Sequence, residues 1–155
     1  MNLIDKFKEP IDKHNLIFVI KQSAFMTVIG GLLVGAIYLF IEQYFGITLI
    51  WMLLFVFGLY LAKRIKNAYN KYHIIHSVIA IIVIIVTYFL ANVVYWAGFL
   101  YMYDVLTVTS LSNFINPVLY FSFLNIFRQG FFEITNILNV IFFILVNVYV
   151  VRYVK

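Results

Sequence analysis

The chain has 155 residues, of which 65% are hydrophobic and only 11% are charged, and its mean hydropathy is +1.03. Water-soluble domains carry about a quarter charged residues, so this composition excludes a soluble fold and predicts an all-α, polytopic membrane protein. The chain contains no cysteine, which excludes disulfides, thiolate metal sites and cysteine nucleophiles. Because no long polar linker interrupts it, residues 1–155 are predicted to form a single membrane domain.

The first 22 residues combine apolar side chains at helical spacing with basic side chains. Pro10 interrupts the apolar pattern, which then continues from Ile11. The basic residues here are Lys6, Lys8, Lys13 and Lys21. A basic amphipathic helix lies on anionic headgroups, so the pattern predicts a cytoplasmic interfacial helix over 1–22. A solvated tail is the alternative interpretation.

Two apolar runs follow, at about 24–41 and 47–62, with a polar break at Glu42. About 20 helical residues cross ~30 Å of hydrocarbon, so these runs predict a transmembrane hairpin. Glu42 is predicted to be solvated at the turn, and a buried carboxylate would instead suggest proton or cation coupling. Trp51, near the outer end of the second run, is predicted to lie in the interfacial aromatic belt.

Small residues recur at helical spacing in both arms of the hairpin. They allow helices to approach closely, and they are Thr27, Gly31 and Gly35 in the first arm and Gly58 and Ala62 in the second. The first set predicts a helix-packing seam, either within the chain or between copies. The second pair is predicted to face the glycines of the first arm.

A basic loop formed by Lys63, Arg64, Lys66 and Lys71 follows the hairpin and is predicted to contact anionic headgroups. His73 and His76 lie one helical turn apart, but no third ligand is close in sequence. They are therefore predicted to be interfacial histidines, and no metal or cofactor is expected.

The last third of the chain contains two spans and an intervening outer segment. A third span is predicted at about 74–98, tilted or bent near Asn92, and a fourth at about 134–151. Residues 117–130 begin with Pro117 and include Arg128, and their apolar part is too short to cross, which predicts an outer interfacial or re-entrant helix. Three asparagines punctuate the fourth span, namely Asn136, Asn139 and Asn147.

The distribution of basic residues predicts the orientation. With four spans and a cytoplasmic amino terminus, ten of the 11 Lys and Arg residues lie inside and Arg128 alone lies outside. The positive-inside rule then places both termini in the cytoplasm and the protein in the cell membrane.

The hairpin also resembles a known type of membrane domain. Its Gly30, Gly31, Ala36, Gly46, Trp51 and Gly58, followed by a basic loop and a small-residue helix, are similar to a domain of uncharacterised bacterial multi-pass proteins, where it often follows a zinc ribbon. The resemblance covers residues 24–98 and implies the hairpin but no activity. This chain departs from that pattern because it has no zinc ribbon and carries a long outer segment and a fourth span.

No catalytic motif is present, so the sequence predicts a non-enzymatic protein without nucleic-acid partners. The favoured function is that of an accessory subunit, assembly factor or immunity-type factor that binds itself or another membrane protein through helix–helix contacts. The alternative is a small oligomeric transporter or channel. Its polar path would be lined by Glu42, Asn92, Asn136, Asn139 and Asn147.

Overall fold

A computed structural model describes residues 10–105, 107 and 114–155, and these residues form helices and turns without strands. Lys6 and Lys8, which were predicted to lie on the interfacial helix, are outside the described residues. The helices are α1 (Lys13–Phe45), α2 (Ile50–Lys66), α3 (Ile74–Met102), α4 (Pro117–Tyr120) and α5 (Ile134–Val154). Three of them, α1, α3 and α5, are long and apolar enough to cross a membrane. The all-α prediction is therefore confirmed for the described part of the chain.

α1 is one continuous helix of 33 residues, which differs from the predicted division into an interfacial segment ending at residue 22 and a span starting at 24. The Asp12 side chain caps its start by accepting the backbone N–H of His14 at 2.9 Å. No Pro or Gly lies between Pro10 and Gly30, so nothing in the sequence breaks the helix there. Gly46 ends it in the left-handed conformation, with φ of 64°.

Two clusters of buried side chains hold the helices together. α1 packs most extensively along α3, and α2 packs most extensively along α5. The cluster around Val19, Ile65 and Val154 lies near the start of α1 and the ends of α2 and α5, where the basic residues are, and we call this the basic end. The cluster around Tyr88 and Tyr120 lies at the opposite end, which we call the loop end.

Gly31 and Gly35 of α1 lie in the α1–α3 contact. A Cβ atom added to Gly35 would lie 2.6 Å from the Ala91 carbonyl oxygen, and one added to Gly31 would lie 2.5 Å from the Leu90 Cβ atom. Thr27, one turn earlier, donates its hydroxyl to the Ser23 carbonyl of its own helix at 2.8 Å. The small-residue stripe therefore serves a contact within the chain.

Gly58 was predicted to face these glycines, and that prediction is wrong. A Cβ atom on Gly58 would lie 2.8 Å from Val150 of α5 and 3.5 Å from Ile84 of α3. Ala62, one turn on, is fully buried in the basic-end cluster. The side chain of α2 that meets a glycine of α1 is Phe57, whose ring lies against Gly30.

The predicted helix over 117–130 is replaced by a series of turns. α4 has only four residues, and a 3₁₀ turn at Ser122–Leu124 follows it. Short polar side chains bond the local backbone here: Ser122 donates to the Leu119 carbonyl at 3.0 Å, and Asn125 accepts the Phe127 N–H at 3.0 Å. Such bonds compete with helical hydrogen bonding, which explains why the helix does not continue.

Candidate functional site

An aromatic cluster at the loop end is centred on Trp51. Its indole N–H donates to the Asn139 side-chain oxygen at 2.8 Å. Its ring stacks on Tyr88 with centroids 5.1 Å apart and meets the edge of Phe123 at 5.8 Å. Trp51 lies half-buried where α2 meets α3 and α5, and its N–H has a partner inside the bundle. Its predicted place in an interfacial belt stays a prediction.

Tyr120 attaches residues 114–133, which we call the loop segment, to this cluster. Its side chain is 8% exposed and its hydroxyl donates to the Phe114 carbonyl at 2.8 Å. Burial raises the pKa of Tyr120 to about 12, so the hydroxyl stays a neutral donor at physiological pH. In turn the Tyr88 hydroxyl donates to the Tyr120 carbonyl at 3.3 Å.

A polar cavity of about 240 Å³ opens beside this cluster, between the loop segment and the start of α5. Its lining includes Arg128, Glu133, Asn136 and Asn139. The Asn136 amide donates to the Phe123 and Phe131 carbonyls at 3.1 and 3.0 Å, and Arg128 donates to the Ser122 hydroxyl at 2.8 Å. The two asparagines therefore bind the loop segment and α2 to the first turns of α5.

The remaining asparagines of the predicted polar path bond within their own helices. Asn92 donates to the Tyr88 carbonyl and Asn147 to the Phe143 carbonyl, both at 2.8 Å and both one turn back. The structure thus brings Asn136 and Asn139 into one cavity, whereas Asn92 and Asn147 do not line it.

Glu42 lies beside two stacked tyrosines. The rings of Tyr38 and Tyr95 have centroids 4.5 Å apart, and the hydroxyls of both interact with the Glu42 carboxylate. Atom Oε2 of Glu42 is buried and has no hydrogen-bond partner among the described residues. Glu42 was predicted to be solvated, and this prediction is wrong because the residue is half-buried at the α1–α3 contact.

An apolar groove of about 460 Å³ lies along the contact between α2 and α5, near the loop end. Met52 and Phe55 form one wall, Phe142 and Leu145 form the other, and Tyr149 closes the far end beside Phe55 with ring centroids 4.9 Å apart. Met52 and Leu145 are 63% and 54% exposed, so the groove opens on the side of the bundle. The sequence showed only that these apolar residues recur every three or four positions, and that spacing does not identify which helix faces which.

The basic end holds the predicted basic loop. Arg64 donates to the Gln22 side-chain oxygen at 3.1 Å, and Lys66 donates to the Tyr153 carbonyl at 3.3 Å. Lys63 and Lys71 are exposed at the same end. Lys63, Arg64 and Lys66, which were predicted in a loop, form the last turn of α2, and these contacts connect that turn to the start of α1 and the end of α5.

The two histidines of the basic end are buried within the bundle, and their predicted interfacial position stays a prediction. His73 and His76 are 6% and 1% exposed. His73 accepts the Ile75 N–H at 3.2 Å, and its own N–H donates to His76 at 3.3 Å, which caps the start of α3. In the described ranges no group of three or more His, Cys, Asp or Glu residues is placed to hold a metal ion.

Comparisons with protein-family models, with curated proteins and with solved structures find no match to this chain. The resemblance to a bacterial membrane domain therefore stays a prediction. The candidate sites are defined by their geometry alone: the apolar groove, the Glu42 cluster, the polar cavity and the basic end.

Proposed function

We propose that the chain crosses the membrane four times with both termini in the cytoplasm. α2 has 17 residues, which extend over about 26 Å, close to the ~30 Å of a hydrocarbon core. It packs along α5, a helix long enough to span, so the two share one depth. Four crossings leave ten of the 11 basic residues on one side, which supports the orientation.

The protein acts, in this proposal, as a non-catalytic accessory or assembly factor that binds a transmembrane helix of another membrane protein. The observation that carries this function is the apolar groove between α2 and α5. Helix contacts in membranes depend on close packing, and the glycine seams of α1 and α2 are already occupied by partners within the chain. The groove is a concave apolar surface that is open to an external helix.

The groove suits large side chains of a partner helix. Its walls carry Met52, Phe55 and Phe142, and methionine and aromatic residues are enriched in the cores of protein interfaces. Only 11% of an 18-residue apolar stretch of α5 is buried within the chain, so the exposed face of α5 beside the groove can extend the contact.

Site-specific photo-crosslinking in native membranes tests this function. A photoreactive residue at Met52 or Leu145 is expected to give a discrete adduct whose cross-linked peptide maps to a transmembrane helix of another protein. Val28 and Ile82, which are 55% and 53% exposed and lie outside the groove, are matched controls.

A groove-filling variant sharpens the result. Leu145→Trp is expected to abolish the adduct formed at Met52 while the protein stays in the membrane. Adducts of equal yield at the control positions, an adduct with a second copy of this chain, or lipid adducts alone would each contradict a heterologous helix partner.

The second candidate function is an oligomeric transporter or channel, and the half-buried Glu42, with its unpartnered atom Oε2, favours it. A carboxylate inside a helical bundle is costly unless it serves an ion or a proton. This function predicts cation or proton flux in proteoliposomes that is lost in Glu42→Gln. The flux is expected to be retained in Gln43→Glu, because Gln43 is the next residue and is exposed. Absence of flux in the wild-type protein would exclude it.

A further inference from the structure

A second groove, separate from the one between α2 and α5, lies between α1 and α2 toward the basic end. It has a volume of about 290 Å³, and its lining includes Gly30 and Leu33 of α1 and Phe57 and Tyr60 of α2. From Phe25 to Leu33 the groove follows two turns of α1, about 12 Å along the helix axis. Its floor forms where Gly30 lacks a side chain and the Phe57 ring lies against it.

A single cation closes the basic end of this apolar groove. Arg64 is among its lining residues, and no carboxylate is among them. The guanidinium carbon lies 5.7 Å from the centroid of the Tyr60 ring, and one guanidinium nitrogen donates to the Gln22 side-chain oxygen at 3.1 Å. These two contacts hold the plane of the guanidinium at the mouth of the groove.

The position of Arg64 leaves it suited to an anion. A guanidinium has five N–H donors, and the bond to Gln22 uses one of them. Arg binds phosphate through paired, charge-assisted hydrogen bonds. Lys21 and Lys63 are adjacent in the chain to Gln22 and Arg64, and both are exposed at the basic end.

We propose that this groove is a binding site for one anionic glycerophospholipid, with an acyl chain along Gly30 and Phe57 and the phosphate at Arg64. Charge complementarity and the continuity of the apolar groove with the guanidinium identify this occupant. An apolar transmembrane helix in the groove would leave the Arg64 guanidinium without an anion. The inference does not depend on the proposed helix partner.

Native mass spectrometry of the full chain released from detergent tests the site. The protein is equilibrated with an equimolar mixture of phosphatidylglycerol and phosphatidylcholine that carry the same acyl chains. We expect one retained phosphatidylglycerol molecule. Arg64→Gln is expected to reduce the preference for the anionic lipid by about tenfold, the loss of one charge-assisted hydrogen-bonded pair.

The matched control is Lys66→Gln, which removes the same charge from the same helix. Lys66 does not line the groove and instead donates to the Tyr153 carbonyl. The control is expected to keep the preference for phosphatidylglycerol. An equal loss in both variants would mean that diffuse surface charge attracts the lipid, and would overturn the site.

A groove-filling variant tests the acyl-chain part separately. Leu33 is 57% exposed, so Leu33→Trp is expected to fold, as judged by an unchanged unfolding temperature in lipid-free detergent, and to retain neither lipid. Soluble glycerol phosphate is the probe for a headgroup-only site. If it displaces phosphatidylglycerol at equal concentration, or if Leu33→Trp keeps the bound lipid, the acyl-chain groove is refuted.

Discussion

Trp51 joins three helices and the loop segment through one side chain. Its N–H bonds to Asn139 of α5, and its ring packs on Tyr88 of α3 and Phe123 of the 3₁₀ turn. The bonded residues are 88 positions apart in the chain, so spacing along the sequence could not reveal the pair. The sequence indicated that Trp51 lies near the outer end of its helix, but it did not indicate that Asn139 is its partner.

We expect Trp51→Phe to lower the free energy of unfolding by about 1–3 kcal/mol, because the Asn139 oxygen is left without its donor inside the bundle. Denaturant titration in detergent micelles measures the change. The double variant Trp51→Phe, Asn139→Leu is expected to lose less than the sum of the two single variants. Strict additivity would show that the hydrogen bond contributes nothing.

At the scale of single elements, the seam between α1 and α3 depends on the absence of side chains. We expect Gly35→Leu to destabilise the protein by at least about 1–3 kcal/mol, the usual cost of overpacking, because its Cβ atom would lie 2.6 Å from the Ala91 carbonyl oxygen. Ala36→Leu is the control, since Ala36 is the next residue and is exposed. Thermal unfolding in detergent compares the two, and equal unfolding temperatures would contradict a tight seam.

The loop segment is the element for which the sequence was least informative. We expect it not to cross the membrane, because its apolar part is short and it contains Arg128. Its replacement of a helix by turns follows from Ser122 and Asn125, whose side chains bond the local backbone. Such bonds depend on rotamers and tertiary packing, which a pattern of apolar residues does not specify.

Cysteine labelling tests whether this segment returns to the side from which it started. Single cysteines at Ile115 and Gln129, in this cysteine-free chain, are both expected to react with an impermeant thiol reagent added outside intact cells. A cysteine at Asn67, near the basic end, is expected to react only after permeabilisation. Labelling of one loop position with protection of the other would mean that the segment crosses.

For the whole molecule, composition alone was sufficient to predict the helical class, because a chain with 11% charged residues cannot cover a soluble surface. The seam at Gly31 and Gly35 was also predictable, since small residues four apart create a flat face. The pairing of helices was not: Gly58 faces α5 instead of α1, because sequence order does not determine which helices become neighbours in a bundle.

The orientation of the whole molecule is tested by fusing reporters to Lys155. A reporter that is active only in the cytoplasm is expected to give signal, because ten of the 11 basic residues then lie on the inner side. The same reporter inserted at Gln129 is expected to be silent. Activity at Gln129 and silence at Lys155 would invert the proposed topology.

The extensive contact between α1 and α3 has a consequence for synthesis. A nascent chain is made from its amino terminus, so α1 is complete before α3 has been translated. The face of α1 that carries Gly31 and Gly35 has no partner until Leu90 to Val94 of α3 have been translated. The first two helices are therefore made before the helices on which they pack most extensively. Folding of this bundle is completed only after most of the chain has been translated.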